Sequence, residues 1–244
     1  MEKDYLQQLK EIRDEVTRFM MTYKFGLREM DTKLTILKEE FQHFHDYNPI
    51  EHIKSRIKSP ESILQKAHRK NIEMSLDSIK KNIRDIVGIR IVCSFNTDIY
   101  RISDMIQKQK DIMLIECKDY IKNPKPNGYK SLHLVLAIPV FMSDREEQVY
   151  VEIQIRTVAM DFWASLEHKI YYKYNKSIPD HLEKELADAA TAANELDLRM
   201  EQLYKEVNYI KEHQVPDYDE NYLGIDDVKL QIPKHFLDSF LKEK

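Results

Sequence analysis

Glycine is scarce in this chain: there are four in 244 residues, Gly26, Gly88, Gly128 and Gly224, and no two lie near each other. A Walker loop or a dinucleotide fingerprint needs clustered glycines, because backbone N–H groups must wrap closely around phosphate, so both are excluded. A triphosphate bound here has to be gripped by side chains. Cysteine is scarcer still. Cys93 and Cys117 each sit inside an apolar stretch without a nearby histidine, which predicts buried thiols in a reducing cytosol and argues against a disulfide framework or a structural zinc site. No apolar run approaches the roughly 18 residues of a membrane span, and the chain starts on the charged segment Met1-Glu-Lys-Asp-Tyr-Leu. A cytoplasmic protein with no membrane partner is expected. Neither sign of charge dominates: 38 Lys and Arg stand against 42 Asp and Glu, for a net charge of −4. Nothing global therefore recruits nucleic acid, and any anion site must be local.

What is present is strongly patterned. Apolar residues from Leu6 through Leu9, Ile12, Val16, Phe19, Tyr23, Leu27, Met30, Leu34, Leu37, Phe41 and Phe44 recur in steps of three or four, predicting a long amphipathic helix, interrupted near Gly26 and stopped at Asn48-Pro49. Ser59-Pro60 is an N-cap and first-turn pair for a second helix that turns Ile63, Leu64 and Ala67 inward. The period then changes. Ile86–Phe95, Ile112–Cys117, Ser131–Val140 and Val149–Ile155 read as strands, with a crossover helix over Asp98–Lys110 that suggests a parallel pair. Thr157–Tyr174 and the stretch from Pro179 to Ile210 return to helical spacing, the latter with a seam that can pack within the chain or against a second copy. Phe162, Trp163 and Leu166 read as core. The whole is an α+β fold, a small mixed sheet flanked by helices. We divide it into one domain over 1–212 (helical region 1–47, catalytic α/β core 48–175, C-terminal helix 179–212) and a tail over 213–244, in which Phe236, Leu237, Phe240 and Leu241 form a docking turn.

Three patches carry chemistry. Between His52 and Lys70, six cations (Lys54, Arg56, Lys58, Lys66, Arg69 and Lys70) face one acid, Glu61. Such density can neutralise a nucleoside triphosphate, and arginine adds a flat face for a base; it can equally be a solvated helix face. Arg84-Asp85-Ile-Val-Gly-Ile-Arg90 brings a carboxylate and two arginines to an apolar strand. Asp85 there suits Mg²⁺, which takes one or two carboxylates plus phosphate oxygens, or else forms an ion pair with Arg84. Asp85 and Arg90 have opposite parity, so either Asp85 precedes the strand or Gly88 marks a bulge. The third patch is Asn123-Pro-Lys-Pro-Asn-Gly-Tyr-Lys-Ser-Leu-His133 together with Glu152-Ile-Gln-Ile-Arg156. Tyr129, Ser131 and His133 share one parity, and Glu152, Gln154 and Arg156 another. Three polar side chains in line on a half-buried strand are costly unless they border a cleft. Tyr129 reads as a stacking platform for a base, and His133 as a hydrogen-bonded histidine beside the core. His43 and the pair His45-Asp46 lack a further histidine set and are set aside as metal ligands.

The ordered motifs Arg56-Ile-Lys58-Ser-Pro-Glu-Ser62, Arg84–Arg90, Asp119-Tyr-Ile, Asn127–His133, Glu152–Thr157 and Phe162-Trp-Ala-Ser-Leu-Glu-His168 closely resemble the RelA/SpoT-type synthetase domain over roughly residues 40 to 210, and more narrowly the stand-alone small alarmone synthetases. The resemblance implies a GTP pyrophosphokinase that moves the β,γ-diphosphate of ATP to the ribose 3′-OH of GDP or GTP. It implies Asp85 and Glu152 as catalytic and Mg²⁺-binding residues. It places Arg56 and Arg90 around adenine, with Lys58, Ser62, Lys66 and Arg69 completing the ATP site. For the acceptor it implies Tyr129 on guanine, Lys118 and Lys125 on phosphates, and His133 and Gln154 in the pocket. Long family members carry added hydrolase and regulatory domains for which 244 residues leave no room, so synthesis without hydrolysis is expected. A homo-oligomer, with a tetramer favoured, is also implied. Other nucleotidyl transfer, or nucleotide or RNA binding without turnover, are the competing functions.

Overall fold

A computed structural model of the protein describes residues 2–44, 47–172 and 179–213, together with the backbone of 222–225 and 228–231. The long three-and-four periodicity produces helix α1 (Glu2–Phe44). It runs unbroken through Gly26, contrary to the expected interruption. A Cβ at that position would stand 2.6 Å from Val149 Cγ1, so this glycine lets the helix backbone lie close on the sheet. The chain then enters strand β1 (Ile50–Ile57), helix α2 (Pro60–Arg69) and helix α3 (Leu76–Asn82). Ser59 and Ser75 cap the two helices, accepting from the backbone N–H groups of Ser62 and Ser78. The sequence pattern reveals neither β1 nor α3.

Strand β2 (Val87–Cys93), helix α4 (Asn96–Gln107), strands β3 (Met113–Asp119), β4 (Leu132–Phe141) and β5 (Glu146–Thr157), and helices α5 (Val158–Tyr172) and α6 (Asp180–His213) follow. The five strands lie in the order β1-β2-β5-β4-β3. Thus α4 does connect two strands of the same direction, but β3 docks at the far edge, and the parallel neighbours are β2 and β5. The remaining pairs are antiparallel. Val87, Ile89 and Ile91, Val151, Ile153 and Ile155, and Leu134 and Leu136 are all buried with Tyr23, Met30 and Leu34 of α1 and Ile99, Ile102 and Ile106 of α4. Each such side chain contributes about 1.5–3 kcal/mol on leaving water, so register is pinned: a one-residue slip would expose the whole set. The opposite sheet face is thereby left for polar residues.

Several expectations change. Asp85 precedes β2, and no bulge occurs at Gly88, which settles the parity conflict. Cys93 is buried but Cys117 is exposed, because it lies on an edge strand. Leu64, Phe162 and Leu166 are exposed, and only Trp163 of the aromatic run is buried. Trp163 packs against Ala190 and Leu186 of α6 and donates its indole N–H to the Leu186 carbonyl at 3.0 Å. The middle of α6 docks on the start of α4: Asn96 donates its backbone N–H to Glu201 and its side-chain amide to Asp197. Strands β6 (Tyr222–Ile225) and β7 (Val228–Gln231) form an antiparallel hairpin. The expected docking turn at 236–241, the His45-Asp46 pair and the end of the helix expected to reach Tyr174 lie outside the described residues. Among those residues, no helix is long and apolar enough to cross a membrane.

Candidate active site

Strand pairing turns scattered motifs into two straight rows on the polar face. One row crosses all five strands as Arg56, Gly88, Glu152, Val135 and Glu116. The next, two residues along each strand, is Lys54, Arg90, Gln154, His133 and Lys118. Gly88 leaves a gap between Arg56 and Glu152, and a cleft of about 170 Å³ opens there, lined by Lys54, Arg56, Gly88, Arg90, Glu152 and Gln154. A second cleft of about 280 Å³ holds Asp85 and Glu152 with Lys66, Lys70, Lys81, Arg84, Glu116 and Lys118. A third, about 210 Å³, is lined by Glu116, Lys118, Tyr120, Lys125, His133, Val135 and Glu152. Glu152 borders all three.

Asp85 is paired with the basic patch and not with Arg84. Its Oδ2 accepts from Lys58 at 2.7 Å and from Lys66, whereas the Arg84 guanidinium lies over the Tyr150 ring. Burial pushes the Asp85 carboxyl up, but the hydrogen bonds and charges of Lys58 and Lys66 outweigh it and hold the group below the usual aspartate range. Its Oδ1 is buried without a hydrogen-bond partner. A carboxylate with one unpartnered oxygen, lining a cleft that a second carboxylate shares, is a fit for a hard divalent cation. Glu152 is likewise pushed up by burial, but the His133 ring outweighs this, with Asp85 opposing and Gln154 assisting, and its carboxyl is held low. Both acids are therefore ionised at neutral pH.

On the acceptor side a bonded chain orders the aromatic residues. Arg156, buried, donates to the Tyr129 hydroxyl and to Gln154 Oε1, both at 2.6 Å. The Tyr129 hydroxyl meets His133 Nε2 at 2.8 Å, and His133 Nδ1 faces Glu152 Oε1 at 3.7 Å. Arg156 already donates to the Tyr129 oxygen, so the phenolic proton is available to His133 Nε2, and the other ring nitrogen is turned toward Glu152. Burial raises the Tyr129 hydroxyl above the usual phenol range, and Arg156 offsets part of this. Lys125 Nζ stands 4.7 Å from the Tyr129 ring centre and 4.9 Å from that of Tyr120. The loop reaches this shape through Gly128, whose φ of +86° suits glycine and whose missing Cβ would lie 2.5 Å from Ala190 Cβ.

The fold therefore brings together Arg56, Lys58, Lys66, Asp85, Arg90, Lys118, Lys125, Tyr129, His133, Glu152 and Gln154. Ser62 and Arg69 stand apart from the three clefts; the Ser62 backbone N–H and hydroxyl both bond Ser59 Oγ. Sequence reasoning missed Glu116, Tyr120, Lys81 and Asp161. Glu116 shares parity with Lys118, the one available signal, and Asp119-Tyr120 had already stood out as a motif.

A sheet face with cations at its edge, two ionised carboxylates at its centre and a braced tyrosine beyond them defines a protein that handles polyphosphorylated nucleotides through side chains. Residues 55–177 match the family described as the region found in RelA / SpoT proteins. The chain is 48% identical over 204 residues to the GTP pyrophosphokinase YwaC of Bacillus subtilis, covering 84% of this chain and 97% of that protein. It is 40% identical over 190 residues to YjbM, a GTP pyrophosphokinase of the same organism, covering 78% and 89% respectively. Among solved structures, small alarmone synthetase 2 of Bacillus subtilis superposes with a TM-score of 0.70 at 49% identity, covering 77% of this chain and 96% of that one. Small alarmone synthetase 1 bound to its product pppGpp gives 0.73 at 38% identity, covering 79% and 98%. The chain belongs to the RelA/SpoT family.

Proposed function

We propose that the protein is a GTP pyrophosphokinase that transfers the β,γ-diphosphate of ATP to the ribose 3′-OH of GDP or GTP, releasing AMP. The observation that carries this reading is the position of Glu152, a single ionised carboxylate bordering the arginine cleft, the Asp85 cleft and the tyrosine cleft. ATP lies with adenine between Arg56 and Arg90 and its phosphates toward Lys58 and Lys66; Ser62 and Arg69, outside the clefts themselves, reach only the part of the triphosphate that extends along α2. The acceptor stacks guanine on Tyr129, with Lys118 and Lys125 on its phosphates and His133 and Gln154 closing the pocket.

The acceptor 3′-oxygen forms a bond to the β-phosphorus as the bond from that phosphorus to the α,β-bridging oxygen breaks, and AMP leaves with that oxygen. The hydroxyl proton passes to the Glu152 carboxylate, which is ionised and central. Asp85 and Glu152 would hold Mg²⁺, which would neutralise charge on the transferring diphosphate. The remaining contribution of the protein is alignment: two rows fixed by strand register set the two nucleotides end to end. Synthesis without hydrolysis is part of the proposal. A homo-oligomer, four copies favoured, fits the apolar side chains exposed on α5 (Phe162, Leu166) and α6 (Leu196, Met200, Leu203, Val207, Ile210).

Incubation with ATP, Mg²⁺ and either GDP or GTP tests the reading. AMP and a guanosine product with two added phosphates are expected, with none formed in excess EDTA. Release of pyrophosphate with a nucleoside monophosphate attached to the product would instead establish nucleotidyl transfer.

A further inference from the structure

Asp161 lies in the first turn of α5 and is buried. Its Oδ1 is shared by two guanidiniums, Arg90 Nη1 at 3.0 Å and Arg156 Nη1 at 3.3 Å. Arg90 and Gln154 line the donor cleft, and Arg156 holds both Gln154 and the hydroxyl of Tyr129, the ring assigned to the acceptor's base. One negative oxygen thus serves an arginine at the donor cleft and a buried arginine that braces the acceptor's tyrosine. Two cations drawing on a single buried anion compete for it, since hydrogen bonds to the same lone-pair region weaken one another.

We propose that Asp161 is a positioning residue that couples the two pockets: a purine seated against Arg90 draws that guanidinium off Asp161, and the carboxylate then binds Arg156 undivided. Arg156 in turn fixes the Tyr129 ring for the second purine. The donor nucleotide therefore raises affinity for the acceptor. This coupling rests on the assignment of donor and acceptor clefts made above. It needs no movement of the strands, only a shift of one partly exposed arginine side chain.

The test is calorimetric titration of GDP into the full chain, with and without saturating AMPCPP and Mg²⁺. Wild type is expected to bind GDP about fivefold to tenfold more tightly in the presence of the analogue. In Asp161→Asn, which keeps the shape but removes the charge, both ligands bind and the ratio falls to about one. Arg90→Met gives a result that a purely structural role would not: GDP alone binds at least about threefold more tightly than to wild type, because Asp161 is already released to Arg156. That arm decides the matter if circular dichroism shows Asp161→Asn to be unfolded. An unchanged ratio in a folded Asp161→Asn, a wild-type ratio of one, or unimproved GDP binding by Arg90→Met overturns the coupling. Wild type binding neither nucleotide would overturn the cleft assignment instead.

Discussion

Replacing Glu152 with Gln keeps the side-chain shape, the neighbour Gln154 and the apolar bed beneath the strand, and removes one negative charge. The structure separates the effects on folding and on chemistry. For folding, the charge is attracted by His133 at 3.7 Å and repelled by Asp85 across the shared cleft, so its loss leaves stability within about 1 kcal/mol of wild type. For chemistry, the amide can neither accept the 3′-hydroxyl proton nor help hold a cation. General-base assistance is worth about 10²–10⁴ in rate, or about 3–5.5 kcal/mol of barrier. The expected result is a fall in kcat of at least about a hundredfold, with KM for ATP and for GDP changed only a few fold, because stacking and phosphate contacts come from other residues. Separating AMP from ATP chromatographically after single-time-point and initial-rate incubations measures kcat; a thermal melt measures the rest. A folded Glu152→Gln enzyme with kcat within about threefold of wild type would refute the central role of this carboxylate.

Gly128→Ala forces a side chain into a left-handed backbone and against Ala190, which costs about 1–3 kcal/mol; a lower Tm and a KM for GDP raised more than that for ATP are expected in melts and steady-state assays. Asp85 has its carboxyl lowered in the folded state, so its stabilising contribution is complete above the unfolded value near ~4 and is lost as pH falls through the lower folded value. Urea midpoints of wild type and Asp85→Asn measured between pH 6 and pH 2.5 should therefore converge toward the acid end, and turnover by the variant should be at background. Asp197, raised by burial, has the opposite sign: its protonated form favours the fold, and that contribution is lost as pH rises through its folded value, so Asp197→Asn should flatten the decline in stability from pH 4 upward in the same titration. Leu203→Asp places a charge in the exposed row of α6; sedimentation velocity should show a smaller species than wild type, with the far-ultraviolet spectrum unchanged.

The parity of 129, 131 and 133 and of 152, 154 and 156 was readable in the sequence because strand period is two, and the structure projects Tyr129 and His133 together, bonded at 2.8 Å. The long helices were legible for a similar reason, since their periodicity is sustained. Strand β1 was not. Lys54, Arg56 and Lys58 make it look like a solvated basic run, and only its place beside β2 supplies the partner that makes it a strand. The lysine partners of Asp85 come from 27 and 19 residues away, a separation at which local pattern carries no information, so the adjacent Arg84 was the natural choice. Asp161 escaped notice because it is hidden in a helix that reads as apolar. The exposed Phe162, Leu166 and Cys117 show the limit of composition: apolar residues in a regular element need not face that chain's own core.

The two functional rows run perpendicular to the strands, and neighbouring strands are about 4.8 Å apart, so the distance from Arg56 on one edge to Glu116 on the other spans about 19 Å. Backbone pairing makes that interval a fixed gauge that no side-chain adjustment can shorten. Molecules joining an adenosine to a guanosine through a phosphate bridge can occupy both ends only when the bridge matches the gauge, which makes bridge length, more than base chemistry, the variable to scan in building a bisubstrate inhibitor.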